Sequence, residues 1–357
     1  MPSQPVPLPL VAAGARRTIA DVAQHAGVSK ATVSRFLNRR DELLTPEIAR
    51  RVETAIAALG YSPSPMAQAL KRGRSRLIGL VVADVANPYS VAVLRGAEKA
   101  CQEAGYLLML FNLGDDGQRE RDAIEALVSY QVDGLILNTL GRDEAAVAAA
   151  ARSGRPVVLV DRRHRDMQAD FVSLDNVGAV QLAGEHLLQC GWNDLLYVTE
   201  PVRGVSSRQE REAAFRAFAA SHPGVHGTVH ESLPADAATL RQELLTQRGR
   251  GRRPAVLASN AVITLRVAEA VADLGWQFGR DLGFVGIDET EWAPLVGPGL
   301  TTVAQPTDAL GRQATACLLE RLKGLAVPPR QILLSGHLVP RRSSGSAPAS
   351  VVSPIKT

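Results

Sequence analysis

The run Thr18–Asn38, TIADVAQHAGVSKATVSRFLN, leaves the amino end of this 357-residue chain little structural freedom. Thr18 followed three positions later by Asp21 has the spacing of a capping box, which starts a helix. Ala20, Val22, Ala23 and Ala26 give that helix an apolar stripe, Gly27 ends it, and Val28 turns inward. Ser29 caps a second helix whose inward residues are Val33, Phe36 and Leu37, leaving Lys30, Ala31, Ser34, Arg35 and Asn38 facing out. Small residues at the crossing, a glycine in the turn and a polar start to the second helix are what a helix-turn-helix needs to lie in a major groove. A third helix is expected after Thr45-Pro46-Glu47, a cap, an N1 proline and a first-turn acid. Ile48, Val52, Ala55, Ile56 and Leu59 repeat along it at helical spacing up to Gly60.

The charge distribution agrees with a nucleic-acid-binding head. Residues 1–76 hold twelve Lys/Arg and five Asp/Glu, a net +7, so a chain totalling +4 has −3 on the remainder. A basic head on a mildly acidic body suits phosphate contacts better than it suits a small-molecule enzyme. The three cysteines, Cys101, Cys190 and Cys317, are scattered and form no CxxC or Cys/His cluster. They read as core residues of a cytoplasmic protein, with neither a metal site nor a disulfide framework. The stretch MPSQPVPLPLVAAGA has its basic residues after the apolar run and proline within it, so residues 1–16 read as a disordered tail rather than a signal peptide. No run has the length of a membrane span.

The pattern TIADVA..AGVS.ATVSR.LN, then T.E...RV..AI..LGY.P, then A.AL, is similar to the amino-terminal module of LacI/GalR-family bacterial transcription regulators. The similarity runs from Arg17 to about Lys71 without a gap. It implies a helix-turn-helix domain over 17–62 and a hinge helix or linker over 63–75. In that family the hinge folds on the operator and drives a leucine into the minor groove. The matching wedge is Leu70, with Ala67 at the close helix contact and Lys71 near phosphate. The other reading of the segment is a flexible linker, since so short a helix is marginal alone. Ser64-Pro65 departs from the asparagine the family usually has before this helix. The resemblance also assigns Lys30, Ala31 and Arg35 to base edges, and Thr32, Ser34 and Asn38 to phosphates, with Thr18 at the head of the first helix in the same set. Two heads imply a homodimer on a pseudo-palindromic operator.

From residue 76 to 340 apolar strands alternate with amphipathic helices in two successive series. The strands expected are Leu77–Ala83, Tyr106–Phe111, Gly134–Leu137 and Val157–Val160, then Leu195–Val198, Val256–Ala258 and Gly283–Ile287. This predicts an α/β body with two parallel sheets covered on both faces and a ligand cleft at the strands' carboxyl ends. It resembles the two-lobed periplasmic-binding-protein fold that these regulators share. Val172–Leu174, Thr302–Ala304 and Ile332–Leu334 are candidates for crossovers and lobe edges. The Ser/Pro-rich tail 341–357 reads as disordered.

Several positions resemble the family's effector contacts. Asp84, Asn87 and Tyr89 follow the first strand, and Tyr89 either stacks on a ligand or packs on the lobe. Ser207, Arg208 and Arg211, with Phe215, resemble the S...R...F signature of the second lobe. Arg211 is either a ligand fork for paired hydroxyls or a carboxylate, or a surface partner of Glu210 or Glu212. Asp288 and Asn260 each follow a strand, and Asp161 and Asp175-Asn176 do likewise. Trp292 supplies either a stacking wall or core. Arg162 and Arg163 read as solvated surface charges. The family commonly has aspartate where this chain has Ala261, and Arg203, Arg208 and Arg211 crowd one loop. That balance favours an anionic effector. The stretch GIDETEWAPLVGPGLTTVAQP looks like the branch answering gluconate or ketogluconate, so a hexonate, with 2-ketogluconate leading, is expected. The body alone would also suit a transport-type sugar-binding protein, and a neutral-sugar effector is the other alternative. No GxSxG, P-loop, HExxH or strand–GxGxxG–helix unit supports an enzyme or a cofactor.

Overall fold

The computed structural model describes residues 17–37, 43–62, 74–114, 118–139, 148–150, 152–164, 167–233 and 237–345. The chain divides into two compact units, Met1–Ser75 and Arg76–Thr357.

In the first unit, α1 (Ile19–Ala26), α2 (Lys30–Leu37) and α3 (Pro46–Leu59) enclose a small core of Val22, Ala23, Ala26, Val33, Val52 and Ala55. The capping box at α1 forms in both directions: the Thr18 amide donates to the Asp21 carboxylate at 2.7 Å and the Asp21 amide to the Thr18 hydroxyl at 3.4 Å. Gly27 ends α1 at φ 62°, a conformation glycine takes without a Cβ penalty. Arg51 of α3 donates to the carbonyls of Ala26 and Gly27, so the last carbonyl of α1 and the turn after it are tied to α3. The Ser29 hydroxyl accepts the Thr32 amide at 3.1 Å and starts α2.

The second unit holds two six-stranded sheets. The first runs β11-β5-β4-β3-β1-β2 and is wholly parallel. Its strands are β1 (Leu77–Val82), β2 (Leu107–Asn112), β3 (Gly134–Asn138), β4 (Val157–Val160), β5 (Asp170–Leu174) and β11 (Gln331–Leu334). The second runs β12-β10-β9-β8-β6-β7, from β6 (Asp194–Thr199), β7 (His226–Glu231), β8 (Pro254–Ala258), β9 (Gly283–Ile287), β10 (Thr301–Ala304) and β12 (His337–Val339). Only β12 is antiparallel to its neighbour. The central strands β3, β6, β8 and β9 are buried throughout, as unbroken apolar runs require when helices cover both faces.

The helices of this unit are α4 (Pro88–Glu103), α5 (Gln118–Ser129), α6 (Asn176–Gln189), α7 (Ser206–Ser221), α8 (Ala237–Arg248), α9 (Ala261–Asp273) and α10 (Thr307–Leu322). The chain passes between lobes three times: after β5, after β10 and between β11 and β12. The three candidate crossover strands therefore lie where expected, each beside a passage. Helix α10, absent from the sequence reading, returns the chain to the first lobe. It packs on α4 through two glycines, and a Cβ at Gly311 would fall on the Val93 carbonyl oxygen while one at Gly96 would fall on that of Asp308. Strands β7 and β12 also escaped the sequence reading, one polar and half-exposed, the other three residues long.

One expectation needs correcting here. The tail does not begin at Arg341. Residues Arg342–Ser344 form a 3-10 turn with Ser343 and Ser344 fully buried, and Arg341 pairs with Glu289 at 2.6 Å. The Ser343 and Ser344 hydroxyls bond Phe284, Thr301 and His186, so the second sheet needs these polar residues to satisfy its own buried groups.

Candidate functional site

Between the lobes lies a cavity of about 220 Å³ at the carboxyl ends of β1, β3 and β4 on one side and of β6, β8 and β9 on the other. Two aspartates hold matching positions in it. Asp161 directly follows β4 and Asp288 directly follows β9, and both have positive φ, 66° and 85°. For a non-glycine residue this backbone costs about 1–3 kcal/mol and persists where surrounding structure imposes it, often at a binding site.

Arg211 reaches between the lobes from α7, only 5% exposed. Its Nε donates to Asn176 Oδ1 at 2.7 Å, Nη1 donates to the Ser259 carbonyl at 2.7 Å, and Nη2 stands 4.0 Å from Asp161. The surface pairing with Glu210 or Glu212 is thereby overturned: Glu210 accepts from Asn176 and Glu212 pairs with Arg216. Asp161 accepts from the Ser207 hydroxyl at 3.2 Å. Asp288 accepts from the Ala261 amide at 3.0 Å and from Gln305 Nε2 at 2.6 Å. Burial pushes the Asp288 carboxyl above its ordinary value, although Arg211 and these two hydrogen bonds pull the other way.

Asp84, Asn87, Tyr89, Asp161, Ser207, Arg208, Arg211, Asn260 and Asp288 all line this one cavity. Asn87 and Asn260 also cap α4 and α9 through their side-chain oxygens. Tyr89 packs in the first lobe's core, as one of its two readings had it, and also lines the cavity. Burial and then the Asp161 charge push its phenol well above the ordinary range, and its hydroxyl makes no hydrogen bond among the described residues.

Four expectations about this site are corrected. Trp292 does not line the cavity; just before the 3-10 turn Ala293–Leu295, it packs partly buried against the second lobe's core. Arg162 is not a solvated charge. It lines the cavity with its side chain 11% exposed, donates Nη1 to the Thr139 carbonyl at 3.0 Å, and has a buried Nε that makes no hydrogen bond among the described residues, 3.5 Å from Asp161. Arg203 does not join Arg208 and Arg211 but lines a separate groove. Asp175 caps α6 by accepting the Gly178 amide at 2.9 Å and is not among the cavity's lining residues.

Sequence reasoning missed Asn138, Glu200, Arg266 and Gln305, all on the cavity wall. Glu200 accepts from Arg208 at 2.6 Å and from Asn260 at 2.7 Å. Arg266 sits one helical turn into α9 and donates to the Ser232 carbonyl. Four carboxylates and four arginines thus line the wall. Asp84, Asp161, Glu200 and Asp288 each already accept a hydrogen bond from the protein.

In the head, Lys30, Ala31 and Arg35 are exposed on α2, and Thr32 and Ser34 are half-buried. The Thr32 hydroxyl shares a 2.9 Å bond with Ser29, and the Thr18 hydroxyl donates to Asp21 at 3.0 Å. The assignments to Asn38, Ala67, Leu70 and Lys71 lie outside the described residues. Among the described residues no His/Cys/Asp/Glu group could hold a metal ion, and no helix is long and apolar enough to cross a membrane.

A helix-turn-helix head joined to a two-lobed α/β core with a charged cleft is the architecture of a DNA-binding regulator. Residues 18–64 match the model of bacterial regulatory proteins of the lacI family, and residues 185–344 match that of a periplasmic binding protein-like domain. The HTH-type transcriptional regulator PtxS of Pseudomonas plecoglossicida is 47% identical over 92% of this chain and 96% of its own length. The regulator KdgR of Bacillus subtilis is 38% identical over 91% and 97%. The crystal structure of the lac repressor dimer bound to operator and the anti-inducer ONPF matches with a TM-score of 0.81 at 25% identity, covering 93% of this chain and all of that one. The chain belongs to the LacI family of DNA-binding transcriptional regulators.

Proposed function

We propose that this regulator is a homodimeric, cytoplasmic and nucleoid-associated repressor that binds a pseudo-palindromic operator and is released by a sugar acid, with 2-ketogluconate the leading candidate, held between the lobes. The observation that carries the effector class is the cavity's wall. Arg162 Nε is buried and makes no hydrogen bond among the described residues, with Asp161 3.5 Å away, while Tyr89 Oη and Gln305 Oε1 on the same cavity wall are likewise buried without a hydrogen bond. A molecule with one carboxylate and several hydroxyls supplies an acceptor for the arginine and donors for the oxygens. The relatives support the repressor half: the ribose operon repressor of Escherichia coli is 29% identical over 92% of this chain, and the lac repressor structure is a dimer on operator. Release follows if the sugar acid prefers a lobe arrangement that pairs the two heads poorly, because only differential affinity moves such an equilibrium. No catalytic step is part of this reading.

The test has two arms. Duplexes selected by the full chain from random sequence should share an inverted repeat, bind with a steep salt dependence, and lose guanine preference at one position per half-site in Arg35→Ala. Titration calorimetry should then give binding of 2-ketogluconate or gluconate and lowered operator affinity in its presence. Binding of a neutral hexose or purine with no response to any sugar acid refutes the effector assignment, and selected sites without two-fold symmetry refute the dimeric operator.

A further inference from the structure

Of the four arginines among the described residues of the cavity wall, three already stand beside a carboxylate. Arg162 Nε lies 3.5 Å from Asp161, Arg211 Nη2 lies 4.0 Å from the same residue, and Arg208 Nη2 lies 2.6 Å from Glu200. Each also donates to a backbone carbonyl, of Thr139, Ser259 and Pro201 respectively. An incoming carboxylate at any of these three would be set next to a like charge, and a partly dry cleft screens that repulsion poorly. An uncharged hydroxyl or carbonyl oxygen can approach them without it.

Arg266 differs from the other three. It is half-buried on α9 and lines the cavity from the same helix face as Val262, one turn before it. Its Nη1 donates to the Ser232 carbonyl at 2.8 Å. Ser232 is itself buried and anchored to the end of β6, its amide donating to the Thr199 carbonyl at 2.7 Å. The guanidinium is therefore held in place by one nitrogen, forms no ion pair among the described residues, and keeps donors for a ligand. Two neutral groups give an independent sign that a polar ligand belongs on this wall. Tyr89 and Gln305 are only 7% and 9% exposed, and Tyr89 Oη and Gln305 Oε1 make no hydrogen bond among the described residues.

We propose, resting on the sugar-acid reading of this cavity, that Arg266 receives the effector's carboxylate and so sets the preference for an acid over a neutral sugar. A guanidinium fork pairs with a carboxylate through two parallel N–H···O bonds, and its remaining nitrogens can keep a carbonyl partner such as that of Ser232. The ligand's orientation follows. Its charged end lies at the second lobe on α9, and its hydroxyl and keto oxygens lie toward Arg162, Tyr89 and Gln305. The carboxylates of Asp161 and Asp288 then meet hydroxyl donors and not the ligand's own charge.

The test is titration calorimetry of the full chain with 2-ketogluconate and with D-fructose, which has the same carbon skeleton and a hydroxymethyl group in place of the carboxylate. Wild type is expected to favour the acid by about tenfold or more. Arg266→Gln should weaken the acid by about that factor, leave fructose unchanged, and flatten the salt dependence of acid binding; Arg266→Lys should restore part of both. A merely structural role would weaken the two ligands together and leave the salt dependence as it was. Thermal unfolding checks that each variant is folded. Equal acid affinity in wild type and Arg266→Gln, or parallel loss of both ligands, overturns the proposal while the sugar-acid reading stands. Loss of the acid preference in Arg162→Gln with its retention in Arg266→Gln also overturns it, by moving the carboxylate to the first lobe. A wild type that binds no sugar acid refutes the sugar-acid reading, and the role of Arg266 falls with it.

Discussion

Replacing Arg211 with methionine is the most demanding test of how the effector cavity is built. Methionine nearly matches the arginine stem in length but carries no charge or donor. The substitution removes two charge-assisted hydrogen bonds of 2.7 Å, to Asn176 and to the Ser259 carbonyl, and withdraws one of the two cations beside Asp161. Each such bond contributes about 1.5–3 kcal/mol, and breaking a buried ion pair by removing one partner costs about 3–5 kcal/mol in all, part of it offset because a desolvated cation is also gone. A loss of about 3 kcal/mol is therefore expected. For a core of this size that lowers the melting temperature by about 6 °C. Arg211 is also the foremost group pulling the Asp288 acidity back toward normal, so that carboxyl should rise further in the variant. Differential scanning calorimetry gives the first quantity, and a carboxylate-resolved NMR titration the second. A melting temperature within 1 °C of wild type, with Asp288 unmoved, would mean that the guanidinium is not locked in a desolvated site, and the reading of the cavity would fail.

Other outcomes follow from the same contacts. Burial raises the Asp170 carboxyl, but Arg321 and Arg330 more than reverse this and hold it well below its ordinary value, so its stabilisation is complete above about pH 4 and disappears as pH falls further. Asp170→Asn should cost about 3 kcal/mol at pH 7 and flatten the acid limb of a denaturation curve; an unchanged limb would count against the network. Gly311→Ala should separate α10 from α4 and cost about 2 kcal/mol or more in urea unfolding, since a Cβ there meets the Val93 carbonyl and the Ala97 amide, and a neutral result would contradict the packing. Thr18→Ala removes half of the capping box and should destabilise the head by about 1 kcal/mol, read from amide exchange in α1 while the core's exchange stays the same.

Features that depend on neighbours close along the chain can be read directly from the residues. The helix-turn-helix is legible because its caps, its glycine turn and its apolar spacing all lie within a few residues. The alternation of strands and helices is legible for the same reason. Asp84, Asp161, Asn260 and Asp288 were found because a polar residue just after a buried strand is a local signal, and the topology brings such ends together. The remainder depends on contacts between segments far apart in the chain. Helix α10 was hidden because its contact with α4 is made by glycines and small residues rather than a marked apolar stripe. Glu200, Arg266 and Gln305 reach the cavity from loops and helix turns and are held by residues distant along the chain, Asn260, Ser232 and Asp288, and Arg162 lines the cavity while its neighbour Arg163 does not. Neighbours along the chain fix a residue's local backbone, but whether its side chain enters the cavity depends on contacts with residues far away in sequence.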